Sequence, residues 1–448
     1  MEEDIQYLLK QERLDKRVLG RLENAVDIAQ ERIDYELASD KELRYALEIV
    51  ESFLRRKKRV CYGGTAMNAL LPAGKKFYSE KDLPDYDFFT PKLEADVEEL
   101  VNDLQRAGFQ DVFHRVGMHE GTKKILVNYI AVADISEMEY DIYEIVFKRS
   151  VTIKGIHYTD ADILRMMMYL EMSHPKGEVS RWPKVYERVL LMNEAFPFDH
   201  CSDEDFVEKE VSMTLRKVLH NYIFEKKRTL ASGPLYDIYN ESVEATKPVK
   251  WELGTGGVMM FLSPNPREDA LAIRELLGYK GIRIDYLKEK GELVPARVMV
   301  KLFKQPIAQI IQETACHSYY IVKSTDNKDV RIASMDTMIT LYLSLSIFTD
   351  DEKKFLHFPL DCYVGRYIQV SKRIRRAPKI KQFQPFALDC QGYQKGYPTL
   401  LREKVARIAR EKEAAKLRKL LKKETFKNKA TEKTKVKKAE TKTRRNRA

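Results

Sequence analysis

Cysteine is scarce in this chain and carries no paired spacing. Cys61, Cys201, Cys316, Cys362 and Cys390 are scattered, and none forms a CxxC pair. Neither a zinc site nor a disulfide framework is therefore expected, and a reducing compartment fits. Long apolar runs are also missing. The longest, "MITLYLSLSIF" at 338–348, is too short to span a bilayer, so no membrane partner is expected. No apolar run follows a basic start at the N-terminus, so no secretory signal is expected. His114, His119 and the other histidines show no metal-ligand spacing. No repeat of short period is visible.

What is present is a 448-residue chain with 44% apolar and 33% charged residues, a composition that supports two or three globular domains. The net charge of +11 is localised. Residues 411–448 hold 16 Lys and Arg against 5 Glu, so the body is formally neutral and the tail carries the whole excess. After Leu421 the tail has almost no aliphatic residue, and Phe426 is its single aromatic. Such a segment buries too little surface to offset the entropy of ordering, and its end is expected to be disordered.

Along the chain, the first sixty residues read as helices, with Ser39 and Glu42 spaced as a capping box before "ELRYALEIVESFL". The texture turns to β at "RVCY" (59–62), followed by Gly63-Gly64 and a helical "TAMNALL". A short strand is expected over 85–90, "DYDFFT", with Thr90 capping the next helix and Pro91 at its first position. Strands are expected in "FQDVFHRVG", "KKILVNYIAVADIS" and "YDIYEIVF". Helices follow in "DADILRMMMYLEMSH" and "RWPKVYERVLLMNEAF". A second mixed region begins near Trp251. "SKRIRRAPKIK" at 371–381 reads as a surface loop or linker, and "REKVARIAREKEAAKLRKLLKK" as a charged helix.

Two aspartates, Asp85 and Asp87, stand one residue apart on the expected strand and so share a face. Their Cα atoms would be roughly 6.6 Å apart, at about 3.3 Å per residue. Two oxygen donors so placed suit hard cations, and magnesium keeps water and substrate phosphate in its shell. A paired-cation site commonly takes a third carboxylate from a neighbouring strand. Asp134 fits, because it ends the buried run "NYIAVADI", where an isolated charge is costly. Asp141 and Glu144 are weaker choices. Gly63 and Gly64 let backbone N–H groups approach a polyphosphate, the helix behind them adds a favourable dipole, and Thr65 offers a hydroxyl. No Gly-Lys-Ser/Thr follows, which excludes a Walker loop. Singly these signals are weak: Asp160/Asp162 and Asp203/Asp205 repeat the D-x-D, and Gly256-Gly257 repeats the glycines. Their ordered succession is specific. Arg181, Lys184 and Arg188 fall on one helical face, which is either a solvated basic surface or a triphosphate or RNA clamp; Ser173 is a further candidate for nucleotide binding.

The ordered set resembles the nucleotidyltransferase superfamily. "YGGTAMNALLP", "LPDYDFF", "GTKKILVNYIAVADIS", "MMMYLEMSHPKGEVSRWPKVYERVLLMN" and "TACHSYY" resemble the poly(A) polymerase catalytic subunits of large nucleocytoplasmic DNA viruses. The resemblance implies an α+β fold: a polymerase-β-like mixed sheet with helices, a second, degenerate nucleotidyltransferase-like region, and a basic tail. It implies regions at 1–58 (helical), 59–157 (catalytic), 158–248 (helical, completing the cleft), 249–400 (second, non-catalytic) and 401–448 (charged helix and tail). It implies a template-independent transfer of AMP from ATP to RNA 3′ ends. Asp85, Asp87 and Asp134 would be catalytic and hold two magnesium ions, which manganese could replace. Gly63, Gly64 and Thr65, with Ser173, Arg181 and Lys184, would bind nucleotide. RNA and ATP are the implied partners, with a second copy or a viral processivity subunit beside them, in host cytoplasm or a viral factory and packaged in the virion. The alternatives are a nucleotidyltransferase acting on tRNA or a small molecule, or an idle RNA-binding scaffold.

Overall fold

The computed structural model describes residues 40–78, 82–199, 201, 209–254, 256–349, 360–377, 382–396 and 398–410, with isolated positions in 18–39 and 412–416. The expected disordered tail and the D-x-D at 203–205 lie outside the described residues.

Helix α1 (Lys41–Lys57) presents Leu43, Ala46, Leu47, Val50, Phe53 and Leu54 to the core at three- and four-residue spacing. Its cap is Asp40 rather than Ser39: the Asp40 carboxylate accepts hydrogen bonds from the backbone N–H groups of Glu42 and Leu43. The first sheet follows, with β1 (Val60–Tyr62), β2 (Tyr86–Thr90), β3 (Val112–Val116), β4 (Thr122–Val127), β5 (Ile130–Glu137), β6 (Val151–Ile153) and β7 (Ile156–Tyr158) in the order β3-β4-β5-β2-β1-β7-β6. Two expected strands differ. "KKILVNYIAVADIS" is a hairpin, because Asn128 and Tyr129 both take positive φ (50° and 68°) and reverse the chain between β4 and β5. "YDIYEIVF" lies in a helix, Tyr140–Arg149, whose buried Ile142, Tyr143 and Val146 fit a helical stripe. Thr90 ends β2 and does not cap the helix Leu93–Arg106, whose N-cap is Lys92; its hydroxyl donates to Asp96.

The second sheet repeats the first. Strands β8 (Thr229–Leu230), β9 (Met259–Ser263), β10 (Ile282–Leu287), β11 (Arg297–Leu302), β12 (Gln305–Gln312), β13 (His317–Lys323) and β14 (Asp329–Ala333) run β10-β11-β12-β9-β8-β14-β13, with β15 (Cys390–Gln391) added at the edge. Each neighbour pair keeps the sense of its counterpart: β1/β2 and β8/β9 antiparallel, β2/β5 and β9/β12 parallel, β1/β7 and β8/β14 parallel. Even a buried ion pair recurs. Arg59, just before β1, meets Asp96 at 2.6 Å; Arg228, just before β8, meets Asp269 at 2.8 Å. Removing one partner of such a pair strands a buried charge and costs about 3–5 kcal/mol.

The register identifies what has gone. Asp87 pairs with Asp134, and Lys124 with Asp134; the equivalent pairs are Met260 with Gln309 and Met299 with Gln309. Gln309 is 0% exposed, and neither side-chain amide atom has a partner among the described residues. An unsatisfied buried amide is costly, so Gln309→Met should raise stability by about 1–3 kcal/mol. A higher urea midpoint at unchanged m-value is the expected reading; a lower midpoint would show that the amide is satisfied or needed.

The halves meet through their equivalent helices, Ala161–Met172 and Met335–Phe348. The second contains the long apolar run and is buried on nearly every side, a core element. Among the described residues no helix is long and apolar enough to cross a membrane. The basic stretch at 371–381 is partly the end of the helix Leu360–Arg376 rather than a loop, and Arg375 is buried against Asp336 at 2.6 Å. The cysteine expectation is overturned: Cys201 is bonded to Cys362 and Cys316 to Cys390, with Cα separations of 4.8 and 5.1 Å. Partners 161 and 74 residues apart leave no mark in local spacing.

Candidate active site

A single row of side chains crosses four adjacent strands of the first sheet: Tyr62 on β1, Asp87 on β2, Asp134 on β5 and Lys124 on β4. Direct cross-strand partners share a face, so the two carboxylates are neighbours. Lys124 Nζ lies 3.0 Å from Asp134 Oδ2, while Asp134 Oδ1 is buried without a hydrogen-bond partner among the described residues. Burial is the main cause that raises the Asp87 pKa to about 7, and the nearby charges of Asp85 and Asp134 add to it. Asp134 is likewise raised by burial, against the opposing pull of Lys124. Asp85 precedes β2 and is exposed. Its carbonyl accepts a hydrogen bond from the Thr65 hydroxyl at 2.7 Å, so Thr65 ties the glycine turn to the acidic strand.

The helix Gly63–Leu70 begins at the first glycine, with no linker after β1. Gly63 has φ +70°, and a Cβ there would strike Asp87 Oδ2. A Cβ on Gly64 would meet the Tyr78 hydroxyl at 2.6 Å and the Arg188 guanidinium at 3.2 Å. The two glycines therefore admit a carboxylate on one side and a guanidinium on the other. The spacer after the helix is folded back by Asn68, whose Oδ1 accepts from the N–H groups of Phe77 and Tyr78, both at 2.9 Å. That places the Tyr78 hydroxyl 2.9 Å from Arg188 Nη2.

Arg181 precedes the helix Trp182–Ala195, and Lys184 and Arg188 lie on it. Arg181 and Lys184 interact with the site's aspartates by charge, and Arg188 stands against Gly64 and Tyr78. Arg181 lowers the Asp87 pKa, and Arg188 stands over Phe77 at 4.7 Å. Lys184 is lowered by partial burial and by the neighbouring Arg188 and Arg181, with Asp85 opposing. Arg181 also pairs with Glu171 at 3.1 Å. Ser173 is placed elsewhere: it is fully buried, its hydroxyl donates to the Leu170 carbonyl, and its own carbonyl accepts from Ser318 N–H across the junction of the halves. Asp141 and Glu144 sit on the helix after β5, outside the row. Asp160 caps the helix Ala161–Met172 and Asp162 pairs with Arg165, so that D-x-D is structural.

Lys124, Tyr62 and Tyr78 belong to the site and were not singled out in the sequence. For Lys124 and Tyr62 the only signal is the register, which spacing along one strand does not reveal. Tyr78 depends on a turn pinned from Asn68.

Residues 48–178 match the profile of a family described as "Poly(A) polymerase catalytic subunit". The chain is 28% identical over 224 residues to a protein of African swine fever virus named "Putative poly(A) polymerase catalytic subunit", covering 48% of this chain and 45% of the relative. A mimivirus protein of the same name is 28% identical over 218 residues, covering 46% and 37%. The chain thus spans about half the length of the curated relatives it matches. The crystal structure of the Megavirus polyadenylate synthase superposes with a TM-score of 0.69 at 18% identity, covering 88% of this chain and 83% of that one. At that identity the likeness shows the fold alone, a mixed α+β arrangement of the kind the resemblance implies. The resemblance is upheld where the motifs stand: residues 48–178 are similar to viral poly(A) polymerase catalytic subunits, within a chain that has the fold of a viral polyadenylate synthase.

Proposed function

We propose that this chain is a polynucleotide adenylyltransferase that adds AMP from ATP to RNA 3′ ends without a template, in viral mRNA polyadenylation. The observation that carries the reading is the row Asp87–Asp134 beside Gly63, present in the first sheet and replaced by Met260 and Gln309 in the second. The idle-scaffold alternative loses ground because one half keeps its carboxylates while the other has shed them.

The donor set fits a hard divalent cation. Two half-buried carboxylates repel each other, and one oxygen of Asp134 has no partner among the described residues. Among the described residues no group of three His, Cys, Asp or Glu side chains is placed to hold a metal ion, so the fit rests on the pair Asp87 and Asp134, with Asp85 beside them. Magnesium takes one or two carboxylates, with water and substrate phosphates completing its shell. Asp87, Asp134 and the exposed Asp85 would hold two such ions, and manganese, also served by oxygen ligands, would substitute. Bound magnesium would neutralise phosphate charge and lower the pKa of the primer 3′-hydroxyl.

The chain's own residues do the positioning. Gly63 and Gly64 bring backbone against the triphosphate at a helix start. Arg181, Lys184 and Arg188 oppose its negative charge from the facing helix. Lys124 holds Asp134 by one oxygen and leaves the other available. Catalysis is then mostly orientation and charge stabilisation. A processivity subunit or a second copy of the chain, and action in host cytoplasm or a viral factory with packaging in the virion, belong to the same proposal.

The test is extension of single-stranded RNA with each of the four nucleotides. A site that hydrogen-bonds one base edge leaves groups unpaired with the wrong base, so ATP should be favoured in kcat/KM by at least about 100-fold. Equal use of all four nucleotides, or addition limited to a few cytidines and one adenosine, would move the substrate to the tRNA alternative.

A further inference from the structure

The segment 382–410 returns from the second half to the catalytic sheet. It starts with Phe386 packed on Trp182 and Tyr186, ring centroids 5.8 and 5.4 Å away. Next, β15 joins the edge strand β13, where the Cys316–Cys390 bond fixes it. The Gln394 amide then lies against Gly177, 3.1 Å from where a Cβ would stand. Lys395 pairs with Glu403 at 2.9 Å. The helical stretch 398–410 reaches the turn between β3 and β4, where Arg407 Nη2 donates to the Met118 carbonyl at 2.8 Å. Half-buried Lys404, one turn earlier, adds a small downward pull on the Asp134 pKa by its charge.

The two ends of the catalytic row are therefore dressed differently. At the β1 end stand the glycine turn and the basic face of Arg181, Lys184 and Arg188. At the β4 end stands the returning helix with Lys404. Phosphoryl transfer is in line, so the attacking oxygen approaches opposite the leaving pyrophosphate. If the glycines and their facing cations hold the triphosphate, the attacking strand enters from the other end. The chain beyond residue 410 carries the whole net positive charge.

We propose that 382–410 is a strap whose last helix holds the RNA primer behind its reactive 3′ end, with Lys404 contacting a backbone phosphate beside Asp134. This rests on the proposed adenylyltransferase function, which supplies the primer.

The experiment uses full-length chains with Lys404→Glu, Lys404→Ala and Lys404→Arg, and a short single-stranded RNA primer as probe. Lys404→Glu should raise the primer KM by about ten-fold, more than it changes the ATP KM; Lys404→Arg should restore the primer KM. In direct primer titrations without ATP, Lys404→Ala should flatten the slope of log affinity against log salt by about 0.7, the share of one single-strand phosphate. An unchanged slope and primer KM would overturn the contact. A lower primer KM with faster extension would also overturn it, and make the helix a plug. The titration needs no catalysis: failure of the wild-type chain to extend RNA would overturn the function, while an unchanged titration would overturn the strap alone.

Discussion

Asp87→Asn should abolish the proposed AMP addition and make the metal-free protein more stable at neutral and alkaline pH. The first effect follows from removing a central carboxylate of the row that faces the glycine turn. The second follows from what Asp87 endures without a cation: burial and two neighbouring carboxylates raise its pKa to about 7. The unfolded chain releases this proton near the ordinary carboxylate value of about 4, whereas the folded chain keeps it until about 7. Between those values the folded state binds more protons, so this group's contribution falls as pH rises and the full penalty is present above about 7. Asparagine cannot ionise and escapes the penalty, on the order of 1–4 kcal/mol. The stability gap between variant and wild type should therefore widen from about pH 5 to about pH 8 and shrink when magnesium is added, since a cation stabilises only the chain that binds it. Near-normal extension by the variant would remove Asp87 from the chemistry. A gap that is flat with pH would mean that its charge is already balanced in the folded protein.

Gly63→Ala should lose at least about 100-fold in extension rate, because misplacing a catalytic group by about 1 Å costs that much. The residue has φ +70°, a left-handed conformation that costs an alanine roughly 1–2 kcal/mol, and the added methyl would be driven into Asp87 Oδ2. Neither strain relaxes easily: the turn is fixed by β1 before it and by the Thr65–Asp85 hydrogen bond after it. Gly64→Ala is the informative contrast. Its methyl would meet the ends of Tyr78 and Arg188, two long side chains that can turn away, so stability should change little and the loss should fall on the ATP KM. Comparable extension by Gly63→Ala and wild type would show that the turn does not set the position of Asp87.

The carboxylates and the glycine turn were legible because each occupies a local pattern: D-x-D where a strand begins, Asp85 falling just before β2 rather than on it, Gly-Gly between strand and helix, and an aspartate ending a buried apolar run. The basic face was legible too, since 181, 184 and 188 follow the helical period. What escaped depends on contacts between distant segments. Lys124 joins the row only through the pairing of β4 with β5. The disulfides join cysteines 161 and 74 residues apart. "YDIYEIVF" is apolar enough for a strand, and it is helical because its buried side falls at 142, 143 and 146. The resemblance implied a second, degenerate region, but not its strand-by-strand register. The visible residue-level trace of the repeat is the pair Arg59–Asp96 against Arg228–Asp269, since the row positions are occupied by Met260, Met299 and Gln309 in the second sheet.

The most direct measurement of the central claim is mass spectrometry of a short single-stranded RNA after incubation with the wild-type chain, ATP and magnesium, beside the same reaction with Asp87→Asn. The account predicts a ladder of RNA masses from the wild type, each step heavier by one AMP residue, with pyrophosphate released, and unextended RNA from the variant. Unextended RNA from the wild type, or an equal ladder from both chains, would contradict it.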